Sequence, residues 1–84
     1  MSTNMAIAVD DEKSWETEAK RILRAEMTRR GVSYDDLAGK LATIGVRDTS
    51  ANIRNKVARG KFSAAFFLQC LRALDVEALR LQER

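Results

Sequence analysis

The chain has 84 residues and a formal net charge of +3, with one cysteine, no histidine and no proline. A single cysteine without histidine excludes a disulfide within the chain and a Cys/His zinc site. It also leaves no familiar constellation for catalysis, so we expect neither an enzyme nor a cofactor. A hydrophobic content of 45% is typical of a small folded domain, and a chain without proline can be mostly helical.

Nothing at the beginning of this sequence resembles an export signal. The start, MSTNMAIAV, lacks a basic region, and the later apolar run AAFFL is far shorter than a membrane span. We therefore expect a cytoplasmic protein with no membrane partner. Residues 1–13 are polar or small and have no helical period, which predicts a flexible tail before a folded domain over residues 14–84.

The first predicted helix covers residues 14–30. Its apolar residues recur at spacings of three and four, which is the pattern of one buried helix face. These residues are Trp15, Ala19, Ile22, Leu23 and Met27. Ser14 is the expected N-cap, Gly31 is the expected left-handed stop, and Trp15 is expected to anchor the core.

A second helix is predicted over residues 33–42. Ser33 is followed three residues later by Asp36, which is a capping-box pattern that uses aspartate. Leu37 and Leu41 would form its inner face. Residues 43–48 then form a loop around Gly45.

The third predicted helix covers residues 49–59, with Thr49 as its cap and Gly60 as its stop. Ile53 and Val57 lie on one stripe because four residues turn a helix through about 400°. We therefore expect these two side chains in the core and the opposite face of the helix in solvent.

The fourth helix is expected to begin after Ser63, with Phe62 and Phe67 forming a hydrophobic staple. Its apolar stripe consists of Phe66, Cys70, Leu71 and Leu74. In this setting Cys70 is expected to be a buried, inert thiol. Phe67 and Leu68 widen the stripe and indicate a subunit contact.

A short last helix is predicted over residues 77–81, where Leu79 would close the core. Short helices joined by brief connections favour an all-α fold, a compact bundle of about five short helices.

Positive charge is concentrated between residues 47 and 61, which carry five cations and one acid for a net charge of +4. Such a patch favours a polyanionic partner such as nucleic acid, although a solvated basic face is the alternative on charge alone. A solvated helix usually carries glutamates that pair with its lysines, but residues 49–59 contain no acid. This difference favours DNA binding.

The exposed side of the third helix presents side chains that suit the major groove. Asparagine can make a paired hydrogen bond to adenine, and arginine to guanine. Small residues allow the helix to approach the bases closely. The candidates for reading bases are Ala51, Asn52, Asn55 and Arg59. The candidates for binding phosphate are Arg47, Thr49, Arg54, Lys56 and Lys61.

The stretch GVSYDDLAGKL, residues 31–41, resembles the start of the helix-turn-helix domain of phage-repressor-type regulators, the Xre-like family. Arg59-Gly60-Lys61 and a packed helix that ends in ALDV, residues 73–76, follow in the order typical of that family. The resemblance implies that helix 33–42 lies across the DNA backbone and that helix 49–59 is the recognition helix. It also adds Ser33 and Tyr34 to the phosphate candidates.

The chain departs from that family in its connection over residues 43–48, which is longer than the usual tight turn. It is also similar to a small group of bacterial domains that share the pattern ANIRNK…RGKF…FFLQCL.

The sequence therefore predicts a protein that binds double-stranded DNA and regulates transcription. We expect a nucleoid-associated homodimer on a two-fold DNA site. The alternative is a protein-interaction module, such as an antitoxin, an anti-activator or an adaptor to a larger regulator. RNA binding is less favoured because the chain lacks an aromatic platform for stacking bases.

Overall fold

The computed structural model describes residues 11–81. It contains four helices in this range: α1 (Glu12–Arg30), α2 (Tyr34–Thr43), α3 (Ser50–Arg59) and α4 (Ala64–Ala73). The long α1 packs against α3 and α4, and α2 packs against the same two helices. The all-α bundle predicted from the sequence is confirmed.

The core lies where the apolar stripes of the four helices meet. It contains buried residues from every helix and from the turn after α4: Leu23, Met27, Leu37, Leu41, Ile53, Val57, Phe66, Cys70, Leu71 and Leu74. Cys70 has no solvent exposure, and burial raises the pKa of its thiol to about 12, so the thiol stays protonated at neutral pH. The predicted burial of Cys70 is confirmed.

The helix boundaries are set largely by local capping. Ser33 and Asp36 form the reciprocal capping box at the start of α2, and Thr49 and Ser63 cap α3 and α4. Gly31, with a positive φ of 65°, ends α1 as expected. The rings of Phe62 and Phe67 stack at 5.9 Å and form the expected staple, which leaves Phe67 half-buried against the core.

The first helix differs from the prediction at its start. Asp11, rather than Ser14, is the N-cap, and its carboxylate accepts a hydrogen bond of 3.0 Å from the backbone N–H of Lys13. Aspartate caps as well as serine does, so the helix extends by two residues into the predicted tail. The remainder of that tail, residues 1–10, lies outside the described residues.

Trp15 is not the core anchor that the sequence predicted, since 56% of its surface is exposed. By rotation Trp15 shares the face of the buried Ile22, since seven residues turn a helix through about 700°. It lies in the first turn of α1, however, about two turns before Ile22, which is the first buried residue of the helix.

The predicted fifth helix is absent from residues 77–81, where the chain is irregular. A turn with a positive φ of 63° at Asp75 ends α4, and the backbone N–H of Val76 donates to the carbonyl of Leu71. Few helical hydrogen bonds fit into so short a segment, and they do not offset the cost of starting a helix. Leu79 nevertheless packs against the core as expected.

Among residues 11–81, no helix is long and apolar enough to cross a membrane, and no group of histidine, cysteine, aspartate and glutamate side chains is arranged to hold a metal ion.

Candidate nucleic-acid interface

The exposed face of α3 is produced by the burial of its opposite side. Ile53 and Val57 have no solvent exposure. Thr49 accepts a hydrogen bond of 3.0 Å from the backbone N–H of Asn52, which fixes the start of the helix. The face that remains outside carries Ala51, Asn52, Asn55, Ala58 and Arg59, all exposed. The structure thus brings the four predicted base readers together on one helix face.

The shape of this face suits close approach to a groove. Asn55 lies about 200° around the helix from the buried Ile53, so it points away from the core. Ala51 and Ala58 stand on the same side and leave no bulky side chain beside it. A helix with this profile fits a major groove about 12 Å wide.

Exposed cations lie at both ends of this face. Arg47 precedes α3 and Lys61 follows it, and neither forms an ion pair among residues 11–81. Arg59, in the last turn, is likewise exposed and without such a pair. Their charges are therefore available to an external anion.

The start of α2 forms a separate part of the surface. Ser33 and Tyr34 line a cleft of about 270 Å³ together with Arg54. The guanidinium of Arg54 lies 5.4 Å from the centre of the Tyr34 ring, which orients both side chains. The backbone N–H of Ser33 donates to Asp36 and holds the pKa of that carboxyl below its usual range. Asp36 therefore remains ionised at the start of α2.

Lys56 occupies a different position from the one expected of a phosphate contact. Its ammonium lies 2.7 Å from a carboxylate oxygen of Asp48 and 4.4 Å from the centre of the Phe66 ring. Its charge is thus neutralised within the fold, and contact with a phosphate would require this ion pair to open.

Asp48 is the residue whose role sequence reasoning missed. Its carboxylate accepts hydrogen bonds from the backbone N–H of Thr49, at 2.9 Å, and from the ammonium of Lys56. The only available signal in the sequence was an acid placed directly before a helix cap. These contacts tie the connection between α2 and α3 to the first two turns of α3.

The long connection that precedes α3 is therefore ordered by two attachments. The backbone N–H of Val46 donates to the carbonyl of Leu41, and the Val46 side chain packs against the core. Asp48 supplies the second attachment through Lys56. Together they set the position of α3 relative to α2.

We expect Asp48→Asn to lower the free energy of unfolding by about 1–2 kcal/mol at pH 7, because it weakens a charge-assisted hydrogen bond. The hydrogen bond from Lys56, the largest cause, holds the pKa of Asp48 below its usual range. A lowered folded-state pKa gives stability that is present above the unfolded value of about 3.9 and is lost as the pH falls through the folded value.

Urea unfolding of both chains at several pH values tests this expectation. The difference between wild type and Asp48→Asn should be constant from neutral pH down to about pH 5 and should shrink below about pH 4. An undiminished difference at the lowest pH would show that ionisation of Asp48 is not its source.

Residues 15–79 match the family model DUF6471, which is described as a domain of unknown function. The chain belongs to the DUF6471 family. The match begins in the first turn of α1 and ends beyond α4, so every candidate residue of this DUF6471 domain lies within it. No curated protein and no solved structure matches the domain significantly.

Proposed function

We propose that this domain binds double-stranded DNA by inserting the exposed face of α3 into the major groove. The observation that carries the proposal is the face itself, where Asn55 and Arg59 stand among small side chains on a helix that contains no acid. Asparagine and arginine are the residues that pair with adenine and guanine edges. The domain is therefore proposed to recognise a specific DNA sequence.

The electrostatics of residues 47–61 support this partner. The one acid in the stretch, Asp48, is paired with Lys56, so the two charges cancel. The positive charges of Arg47, Arg54, Arg59 and Lys61 remain exposed around α3. A cluster of exposed cations beside a groove-sized helix favours the phosphate backbone as its counterpart.

The resemblance to phage-repressor-type regulators supplies the proposed biological role. By that resemblance, the domain regulates transcription, and two copies bind a two-fold DNA site. A dimer fits the modest affinity expected of one small domain on DNA. The same proposal places the protein in the cytoplasm, in association with the nucleoid.

Replacement of the two residues proposed to contact bases, Asn55 and Arg59, is expected to change the DNA sequence that the domain prefers. Asn55→Ala and Arg59→Ala should each weaken binding to the preferred site by about 1–3 kcal/mol and relax selection at the base pair that each contacts. Selection of bound sequences from a random duplex library, carried out with wild type and both variants, measures this effect. Identical preferences in all three proteins would contradict reading by α3.

A protein-interaction module is the second candidate, and one observation favours it. Leu68 on α4 is 63% exposed, whereas its neighbour Phe67 is held by Phe62. Leu68 is therefore the apolar residue that this helix offers to a partner protein. If the wild-type domain selects no sequence and binds no duplex, this reading replaces DNA binding.

A further inference from the structure

One flank of α1 forms a cationic ridge along the helix. We define the α1 ridge by five residues at spacings of three and four, which therefore lie on one stripe: Lys13, Thr17, Lys20, Arg24 and Thr28. Fifteen residues of rise make this stripe about 22 Å long. None of the four glutamates of α1 falls on it.

The α1 ridge lies directly beside α3. The ammonium of Lys20 donates a hydrogen bond of 3.0 Å to the carbonyl of Ala58, in the last turn of α3. One turn further along, Arg24 and Thr28 line the same cleft as Arg54 of α3 and Tyr34 of α2. The ridge is therefore continuous with the exposed cations of the proposed DNA-binding surface.

Arg24 differs from the other arginines of α1 in having no internal counterpart. Arg29 and Arg30 form ion pairs with Glu26, and Arg21 forms one with Glu18. Arg24 is exposed and makes neither an ion pair nor a hydrogen bond with any side chain among residues 11–81. Its cleft is also lined by a second cation, Arg54, and by one acid, Asp35, with which Arg24 forms no ion pair.

We propose that the α1 ridge is a second phosphate-binding surface, which holds the DNA backbone beside the groove that α3 enters. This inference rests on the proposed function and extends it to residues that the sequence pattern did not indicate. Arginine and lysine supply charge, and the Thr28 hydroxyl can donate a hydrogen bond; both are usual donors to phosphate oxygens. The Thr17 hydroxyl already donates to the carbonyl of Lys13. Such contacts increase affinity without reading sequence.

Arg24→Ala is the variant that tests the ridge. Lys20 is unsuitable because its loss would also remove the hydrogen bond to the carbonyl of Ala58. Loss of one phosphate contact should raise the Kd for duplex DNA about 8-fold at 0.1 M salt and make the slope of log K against log salt shallower by about 0.9. The preferred sequence should not change, because the contact is to the backbone.

Arg72→Ala is the matched control, since Arg72 is an exposed arginine without an ion pair in the described residues, on the side of α4 opposite the buried Cys70. Its binding slope should equal that of wild type. If wild type binds duplex DNA and the salt slope of Arg24→Ala equals that of wild type, phosphate binding by the α1 ridge is contradicted while the proposed function stands. A changed base preference in Arg24→Ala would also contradict phosphate binding by the ridge. A wild-type domain that binds no duplex would contradict both the ridge and the proposed function.

Discussion

Gly60→Ala is expected to lower the free energy of unfolding by about 3 kcal/mol, through backbone strain and steric overlap together. Gly60 has a φ of 67°, in the left-handed region where an L side chain is strained. A Cβ at this position would also lie 2.5 Å from the carbonyl oxygen of Glu16, which is backbone and cannot move aside as a side chain can. α1 and the end of α3 would have to separate.

Gly31→Ala is the matched control for this prediction. Gly31 has nearly the same φ, 65°, but a Cβ there meets no atom within 4 Å. Gly31→Ala should therefore lower the free energy of unfolding only by the strain of the left-handed backbone, about 1 kcal/mol. Urea unfolding of the two variants and wild type measures both losses. Equal losses at the two glycines would show that the contact with Glu16 does not restrict position 60.

This close contact also bears on function, because it helps to hold α3 in place. Gly60 touches the backbone of α1 at Glu16, and Lys20 of α1 donates to the carbonyl of Ala58. Asp48 holds the other end of the same helix through Lys56. The proposed recognition helix is thus attached to the fold at both ends while its outer face stays free.

Replacing Arg47, Arg59 and Lys61 together by alanine is expected to weaken duplex binding by more than about 100-fold at 0.1 M salt, if Arg47 and Lys61 each neutralise one phosphate and Arg59 contacts a base. These three are chosen because they are exposed around α3 and have no internal ion pair among residues 11–81. Lys56 is left intact, since its removal would also disturb Asp48.

A control with the same loss of charge separates local contact from general electrostatic attraction. Lys40, Arg72 and Arg80 are three exposed cations outside residues 47–61, and they too lack an ion pair in the described range. The variant that replaces all three by alanine carries the same net charge as the first. Matching far-ultraviolet circular dichroism spectra and unfolding midpoints would show that both remain folded.

The helices and their ends were predictable because they depend on local sequence. Ser33 with Asp36, and Thr49 alone, offer side chains to backbone N–H groups within three residues, so their capping can be read directly from the sequence. Gly31 and Gly60 stop helices for an equally local reason, the ease with which glycine adopts a positive φ.

The errors in the predicted fold arise where local patterns compete. Asp11 and Ser14 are both good caps. The choice between them depends on whether the interactions of the added residues offset the cost of ordering them in the helix. Trp15 fits the apolar spacing of α1, but packing in three dimensions excludes it from the core. Residues 77–81 contain helix-forming side chains but too few of them to nucleate a helix.

The candidate site was only partly predictable, since charges acquire their roles through distant contacts. The exposed position of Asn55 follows from helical periodicity alone. The pairing of Lys56 with Asp48 depends on how the preceding loop folds back, and the placement of Arg24 beside Arg54 depends on the packing of α1 against α3. A linear pattern contains neither arrangement.

The decisive measurement is a titration of a fluorescent DNA duplex at 0.1 M salt with three proteins: wild type, the Arg47/Arg59/Lys61 variant and the Lys40/Arg72/Arg80 variant. If the exposed face of α3 binds DNA, the first variant loses about 100-fold or more in affinity, while the second stays close to wild type. Equal affinities of the two variants, or a wild-type domain that does not bind the duplex, would contradict DNA binding by α3.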